Sequence, residues 1–415
     1  MKILFIHQNF PGQYKHLAPL LASKGHQCVA LTLRVKEPTN WNGVRVLPYA
    51  LPNRKGQNTH PWLVDLDTKV TRGEACYRAA CKMKDAGFSP DLILAHPGWG
   101  ESLFLHDVWP DARIGLYCEL YHSAEYPHLR FDPEFDRGDA DLSGLRIRMK
   151  NINNHLHFQM ADAGISPTRF QADTFPCEFR DRITVIHDGI NTALSRPDPN
   201  ARLTIDGQVD VTRNDEVITF VNRNLEPYRG YHVFMRALPR LLRERPQAEV
   251  LIVGGDEVSY GARPPGGKTW KQIFIDEVRG QISDADWERV HFLGRIPHDK
   301  FTRLLQVSRV HVYLSYPFVL SWSLLEAMSC GASVVACDTA PVKEVIAQDE
   351  TGRLVDFFDG DALVGQVCDL LEDQEAREGL GAAARSLIQK RYDLRSICLP
   401  RQLSWVDDVM SGAGA

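Results

Sequence analysis

Short apolar runs alternate with amphipathic stretches along most of the chain. In the first half, strands are predicted at Lys2–Ile6, Gln27–Thr32, Val44–Leu47, Leu92–Ala95, Arg113–Cys118, Ala163–Ser166 and Ile183–Ile186. Between them, Tyr14–Ser23, Asp65–Ala86 and Leu145–Met160 space their apolar residues as helices do, with Gly25, Gly87 and Pro90 as stops. A charged segment, Arg130–Asp141, precedes the last of these helices. The pattern breaks from Asn191 to Asn214, where Pro197, Pro199 and several Asp and Asn suit a linker. It then restarts. Strands are predicted at Val217–Val221, Val250–Val253, Val290–Leu293, Val310–Leu314 and Val334–Ala336. Helices are predicted at Tyr231–Arg243, Lys271–Ile282, Lys300–Val307, Trp322–Ser329 and Pro341–Ala347. Continuous apolar strands between helices mean parallel sheets covered on both faces. The expected fold is α/β, with two doubly wound Rossmann-like domains facing across a cleft. The first would span residues 1–190, the linker 191–214 and the second 215–392. The helical stretch Glu375–Arg391 and the tail, residues 393–415, have no strand to serve. They either cap the second half or cross back to the first.

The stretch His311–Asp359 is the centre of the second half. Strand, turn, helix and strand follow one another there, with the break at Ser315–Tyr316–Pro317. In a parallel sheet, ligands gather where strands end and helix N-termini present free amides. The amides of Ser321, Trp322 and Ser323 would form an anion site suited to a diphosphate. Glu326 is the one acid in this helix. Ser323 followed three residues later by Glu326 fits a capping box, so the carboxylate could simply close the helix start.

Composition narrows the classes. The 415 residues are 44% hydrophobic and 24% charged, ordinary for a globular enzyme. A net charge of −5 argues against nucleic acid as the main partner. Met1 runs straight into KILFIH with no signal-peptide layout, and no apolar run reaches membrane length, so cytoplasmic residence is expected. Arg146, Arg148 and Lys150 on one helix offer only thin support for peripheral membrane contact. The nine cysteines contain no C-x-x-C, and neither disulfides nor a zinc site is indicated.

Several residues at strand ends carry candidate chemistry. Arg223 ends one strand and Arg229 precedes Gly230 at a helix start. Most arginines are simply solvated, but two forked cations at the mouth of a parallel sheet suit a diphosphate. Gly254 and Gly255 follow the next strand and allow a ligand to approach the backbone closely, or make an ordinary tight turn. A G-x-G-x-x-G fingerprint is absent, which weakens a dinucleotide reading. Arg295 and Ile296 follow a further strand and can flank a base. In the first half, His96 and His122 sit just past strands, where a histidine can accept or relay a proton. Glu101 and Glu119 share that neighbourhood and could orient a sugar or a ring. The D-x-D patterns Asp65–Asp67, Asp139–Asp141 and Asp284–Asp286 follow no strand, and with 53 acids such hits arise by accident. No metal is expected.

Together these segments resemble the retaining glycosyltransferases of family 4, with the GT-B fold, over nearly the whole chain. KILFIHQNFPGQYKHLAPLLASKGHQCVALT, ADAGISPTRFQADTFP, ITVIHDGINT, NRNLEPYRG and SWSLLEAMSCGASVVACDTAPVKEVI with TGRLVDF occur in the family's order. The resemblance implies an acceptor-side first domain and a nucleotide-sugar-binding second domain. Arg223 and Arg229 would hold the donor diphosphate, the latter in place of a lysine. Glu326 would bind ribose, Arg295 and Ile296 would line the base, and amides from Leu320 to Ser323 would contact phosphate or sugar. Gly12 would lie beneath the donor, and His122 would meet the acceptor or the transferred sugar. The co-substrate would be a UDP- or GDP-sugar, with no further cofactor, and the acceptor a glycan, a lipid-linked glycan or a small molecule. One departure matters. The family often carries two glutamates eight positions apart, and Phe318 stands at the first of them. Its presence keeps two alternatives open, a sugar-nucleotide epimerase and a catalytically weakened sugar-nucleotide-binding protein.

Overall fold

Strand after strand is apolar on both faces, so each is stable only where helices cover both sides of its sheet. The computed structural model describes residues 1–52, 59–123, 130–136, 140–205, 207 and 209–412. They form two compact units. One comprises Met1–Leu129, Arg137–Asp188 and the chain from Cys398 onward; the other comprises Arg130–Asp136 and Gly189–Ile397.

In the first unit, β1 (Lys2–Ile6), β2 (Gln27–Thr32), β3 (Thr39–Trp41), β4 (Val44–Pro48), β5 (Leu92–Ala95), β6 (Arg113–Tyr117), β7 (Ala163–Ser166) and β8 (Ile183–Val185) make one sheet. Its order is β3-β4-β2-β1-β5-β6-β7-β8. Only β3 runs antiparallel to its neighbour, pairing Asn40 with Arg45. The chain builds outward from β1 on one side, then returns to place β5 on the other, with Ile3 paired to both Cys28 and Leu92. One face packs under helix Val64–Asp85 through Ala75, Cys76 and Met83. The opposite face is covered by Tyr14, Leu17 and Leu21 and by Trp405, Val406 and Val409 of helix Leu399–Ser411. Gly115 leaves room for that helix, since a Cβ there would lie 2.7 Å from the Trp405 ring. Gln402 Nε2 also donates to the His187 carbonyl at 3.1 Å.

The second unit holds β11 (Val217–Asn224), β12 (Glu249–Gly255), β13 (Val290–Gly294), β14 (Val310–Tyr313), β15 (Ser333–Cys337) and β16 (Arg353–Val355). All are parallel, in the order β13-β12-β11-β14-β15-β16. Helix Tyr231–Glu244 presses Phe234 and Leu238 onto one face, and Leu304, Ala327 and Cys330 cover the other. Inside the 191–214 stretch, β9 (Arg202–Ile205) and β10 (Val209–Thr212) form an antiparallel hairpin. It buries Leu203, Ile205 and Val211 against this second face.

Most predicted elements lie where expected, and the differences have local causes. Tyr14–Ser23 divides into a tight turn at Gly12–Lys15 and a helix at Leu17–Ser23. Pro341–Ala347 shrinks to Ala340–Lys343, and the helix read from Leu145 begins at Ala140. The strands β3 and β16 have three residues each, too few to show a period.

Four buried histidines make the fold acid-sensitive. Burial pulls His7, His157 and His187 down to about 4, and His311 down to about 3. The unfolded chain would therefore take up protons first, from about pH 6.5 downward. Stability is intact above that pH and falls as the pH drops toward 4, by about 1.4 kcal/mol per unit for each histidine once it is protonated only in the unfolded state. A series of melting curves from pH 8 to pH 4 should show a flat region and then a steep decline below about pH 6.5; a flat profile to pH 4.5 would contradict it.

Candidate functional site

Parallel strands send all their carboxyl ends to one edge. Where the chain order reverses, successive crossovers leave on opposite faces and open a crevice between two strand ends. In the second unit that place lies between β11 and β14, which are hydrogen-bonded neighbours. Arg223 lies in the last residues of β11, Arg229 in the turn after it, and Phe318 to Ser321 in the loop after β14.

Arg229 stands in the turn Pro227–Arg229, just before helix Tyr231–Glu244. It is buried, and its Nη1 donates to Ser315 Oγ at 2.9 Å and to the Val319 carbonyl at 3.0 Å. The Tyr313 hydroxyl accepts the Ser321 amide at 3.0 Å and lies 3.5 Å from the same Nη1. Tyr260 and Phe318 lie against the guanidinium, with ring centroids 5.1 and 5.9 Å from its Cζ. Burial acts to lower the Arg229 pKa, but Tyr313, Tyr260 and Glu226 outweigh it and hold the group firmly charged. Gly230 makes the turn possible. Its φ is +66°, and a Cβ there would overlap Leu314. Arg223 is exposed, the one of the two cations that faces water.

The neighbouring strand ends join this group. Arg295 donates to Asn224 Oδ1 at 2.9 Å and pairs with Glu257 at 2.5 Å. Gly255 lies directly under that contact, because a Cβ would come 2.6 Å from both Arg295 Nε and Asn224 Oδ1. Gly254 packs against Leu225 in the same way. Ile296 is half-buried beside them. Leu320 is buried, and Ser321 caps helix Trp322–Ser329, with Trp322 exposed at its first position.

Two expectations about this helix are corrected. Ser323 does not cap it. The cap is Ser321, whose Oγ accepts the Ser323 amide at 3.3 Å, so Glu326 lies too far along to close a capping box. Its carboxylate instead meets His298 Nε2 at 3.1 Å. Nor are all the expected amides free: Ser321 and Ser323 donate to Tyr313 and to the cap.

Sequence reasoning missed Glu226. It is fully buried, and its carboxylate accepts the amides of Ser259, Tyr260 and Gly261 at 3.1–3.2 Å. This holds Tyr260 against Arg229. The available signal was an acid between Leu225 and Pro227 directly after a strand.

The first unit repeats the layout at its own reversal, between β1 and β5. His7 follows β1 and His96 follows β5, with ring centroids 5.4 Å apart. Gly12 has a φ of +46°, and a Cβ there would overlap the His7 ring. His7 Nδ1 accepts the Asn9 amide, so its Nε2 carries the proton shared with Gln13 Oε1 at 2.7 Å. His96 stacks on Trp99 at 4.4 Å and points Nε2 toward Glu119 at 3.7 Å. His122 is half-buried, with its backbone bonded to Asn151 of helix Ala140–Met160. Glu101 lies deeper, behind His96. It is fully buried, its Oε1 accepts the Tyr49 hydroxyl at 2.7 Å, and burial raises its pKa, so its bonded partner is a core tyrosine.

Of the D-x-D patterns, Asp65 and Asp67 open helix Val64–Asp85, and Asp284 and Asp286 pair with Arg279 and Arg289. Asp139 lies outside the described residues. Among the described residues, Asp132, Glu134 and His232 bring metal-ligand atom types within 4.8 Å of one another. Their carboxylates are already bonded, to Tyr316, His232 and Arg236.

The architecture defines a class, two parallel-sheet Rossmann-like domains of the GT-B type. Solved structures of this fold include sucrose-phosphate synthase from Thermosynechococcus elongatus, at TM-score 0.76 and 18% identity over 98% of each chain. Another is the Anabaena protein Alr3699/HepE in complex with UDP and glucose, at TM-score 0.67 and 16% identity, over 98% of this chain and 100% of that one. Two sequence families match, "Glycosyl transferase family 4 group" over residues 24–194 and "Glycosyl transferases group 1" over residues 202–387. The chain belongs to these group 1, family 4 glycosyltransferases. Phosphatidyl-myo-inositol mannosyltransferase of Mycolicibacterium smegmatis is 32% identical over 49% of this chain and 47% of its own length. D-inositol 3-phosphate glycosyltransferase of Corynebacterium efficiens is 29% identical over 49% and 46%. The chain thus aligns with about half the length of these curated relatives.

Replacing Glu226 tests how the site is built. Glu226→Ala leaves buried amides without their acceptor and should lower the stability of the second unit by about 2–4 kcal/mol. Urea unfolding followed by hydrogen exchange in β11 and β12 measures it, and a change under about 0.5 kcal/mol would contradict the assigned role.

Proposed function

We propose that the protein moves a sugar from a nucleoside-diphosphate sugar to an acceptor hydroxyl, with retention of anomeric configuration and without a metal ion. The observation that carries this reading is the placement of Arg223 in the last residues of β11 and of Arg229 in the turn that follows, with Arg229 bonded to the loop Ser315–Ser321 after β14, at the point where strand order reverses. As the bond from the anomeric carbon to the phosphate oxygen breaks, negative charge grows on the departing diphosphate. Arg223 would meet it from the solvent side and Arg229 from within the loop, where fixed donors are worth most. The acceptor oxygen forms the new bond on the face the diphosphate leaves, and its proton passes to the departing phosphate. Glu326, steadied by His298, would bind ribose hydroxyls, and Arg295 with Ile296 would flank the base. His122, His96 and Glu119 would serve the sugar or acceptor side.

Two relatives carry names for inositol-based acceptors, which makes inositol and its phosphate the first acceptors to try. Peripheral membrane contact would use the exposed Arg146, Arg148 and Lys150. No helix among the described residues is long and apolar enough to cross a membrane.

A thermal-shift screen of UDP- and GDP-sugars should raise the melting temperature with one base in preference to the other. With that donor, Arg223→Ala should lower turnover by roughly 10–1000-fold and leave the melting temperature within about 1 °C, because the side chain is exposed. Excess chelator should leave turnover unchanged. Loss of activity restored by added divalent metal would overturn the metal-free reading, and sugar conversion without an acceptor would point to an epimerase instead.

A further inference from the structure

One short segment lies in the second unit although its sequence neighbours on both sides belong to the first. Arg130–Asp136 is flanked by Met1–Leu129 and Arg137–Asp188, yet it packs with Gly189–Ile397. Two aromatic rings anchor it. Phe131 stacks on Phe358 at 5.2 Å and meets Tyr316 at 5.1 Å; Phe135 meets His232 at 5.1 Å and Trp270 at 5.3 Å. Between them Asp132 is buried. Its Oδ2 accepts the Tyr316 hydroxyl at 2.8 Å and His232 Nε2 at 2.9 Å, and its Oδ1 accepts the Glu134 amide at 3.0 Å. Burial acts to raise its pKa, but the bonds from His232 and Tyr316 prevail and keep the carboxylate charged. Glu134 then locks to Arg236 through two bonds at 2.7 and 2.8 Å.

The partners of Asp132 are what give the segment meaning. His232 is in the first turn of helix Tyr231–Glu244, and Tyr316 is in the loop after β14. Arg229 immediately precedes that helix and bonds to Ser315 and Val319 of the same loop. Asp132 and Arg229 therefore tie the same two elements together. A third bond, from the Tyr316 amide to the Tyr228 carbonyl at 3.0 Å, lies between them. We propose that Asp132 is a positioning residue: by holding Tyr316 and His232 it sets the distance between the Arg229 turn and the loop Ser315–Ser321. The segment is thus part of the donor site's framework. It touches no substrate in this role, and the inference rests on the donor-site reading above.

The test uses the full chain with Asp132→Asn and, separately, Tyr316→Phe. The second keeps ring and packing and removes only the hydroxyl. Amide hydrogen exchange in residues 315–323 should rise at least about tenfold in either variant, with exchange in β11 and β12 unchanged. Titration with UDP and GDP should show the preferred nucleotide bound about tenfold more weakly. The double variant should be no worse than Asp132→Asn alone, since Tyr316→Phe removes only a bond that Asp132→Asn already weakens. Unchanged exchange at 315–323, or a rise spread evenly over the unit with a lower melting temperature, overturns the proposal and leaves Asp132 a packing residue. Wild-type protein that binds neither nucleotide would sink the donor-site reading, while the exchange result would still decide whether Asp132 sets the loop. Should Asp132→Asn fail to fold, Tyr316→Phe carries the same decision.

Discussion

A guanidinium buried away from water must be given acceptors, and much of the second unit is arranged around that demand at Arg229. Ser315 Oγ and the Val319 carbonyl supply them, which fixes the loop after β14. At the far end of that loop Ser321 donates its amide to the Tyr313 hydroxyl of β14, which fixes the start of the next helix. Glu226 answers a second demand, a buried carboxylate that must also be satisfied, and it does so by gathering three consecutive amides. One buried cation and one buried anion thus shape two loops. Neither can be removed without leaving polar groups stranded.

Both units put their polar clusters at the equivalent position, where the strand order turns back. In one the cluster is cationic and hydroxyl-rich, around Arg229. In the other it is imidazole-rich, around His7 and His96, with Trp99 stacked on His96 and edge-on to His7 and half-buried Glu119 nearby. The shared backbone geometry explains the location, and the differing side chains give each cluster its own chemistry. A charged leaving group needs fixed positive charge, whereas a hydroxyl nucleophile or a sugar needs groups that exchange protons and hydrogen bonds.

The strands and long helices were legible because parallel strands buried on both faces leave unbroken apolar runs, as at Leu92–Ala95 and Val334–Ala336. The positions of Arg223, Arg229 and Glu326 were legible because each sits at a strand end, in the turn after it or on the helix that follows. What stayed hidden depends on contacts between distant parts of the chain. Glu101 looked like a site acid because His96 is five residues away, yet its partner is Tyr49. Ser323 and Glu326 have capping-box spacing, but the backbone enters the helix two residues earlier, at Ser321. Asp132 lies in a run of charges that reads as solvated surface. Only the fold shows that Phe131 and Phe135 on either side of it are anchors. The hairpin β9–β10 was masked by Pro197 and Pro199, although Leu203, Ile205 and Val211 alternate as an amphipathic strand pair should.

Helix Leu399–Ser411 has a consequence for how the molecule is made. Its Trp405 fills the hollow over Gly115, in a sheet whose first strand is Lys2–Ile6. A ribosome therefore delivers nearly all of the opening unit long before the piece that seals one of its faces. The later unit, apart from Arg130–Asp136, is contiguous and can close as soon as it emerges. The nascent opening unit must meanwhile wait with Tyr14, Leu17 and Leu21 over part of that face and the rest of it open.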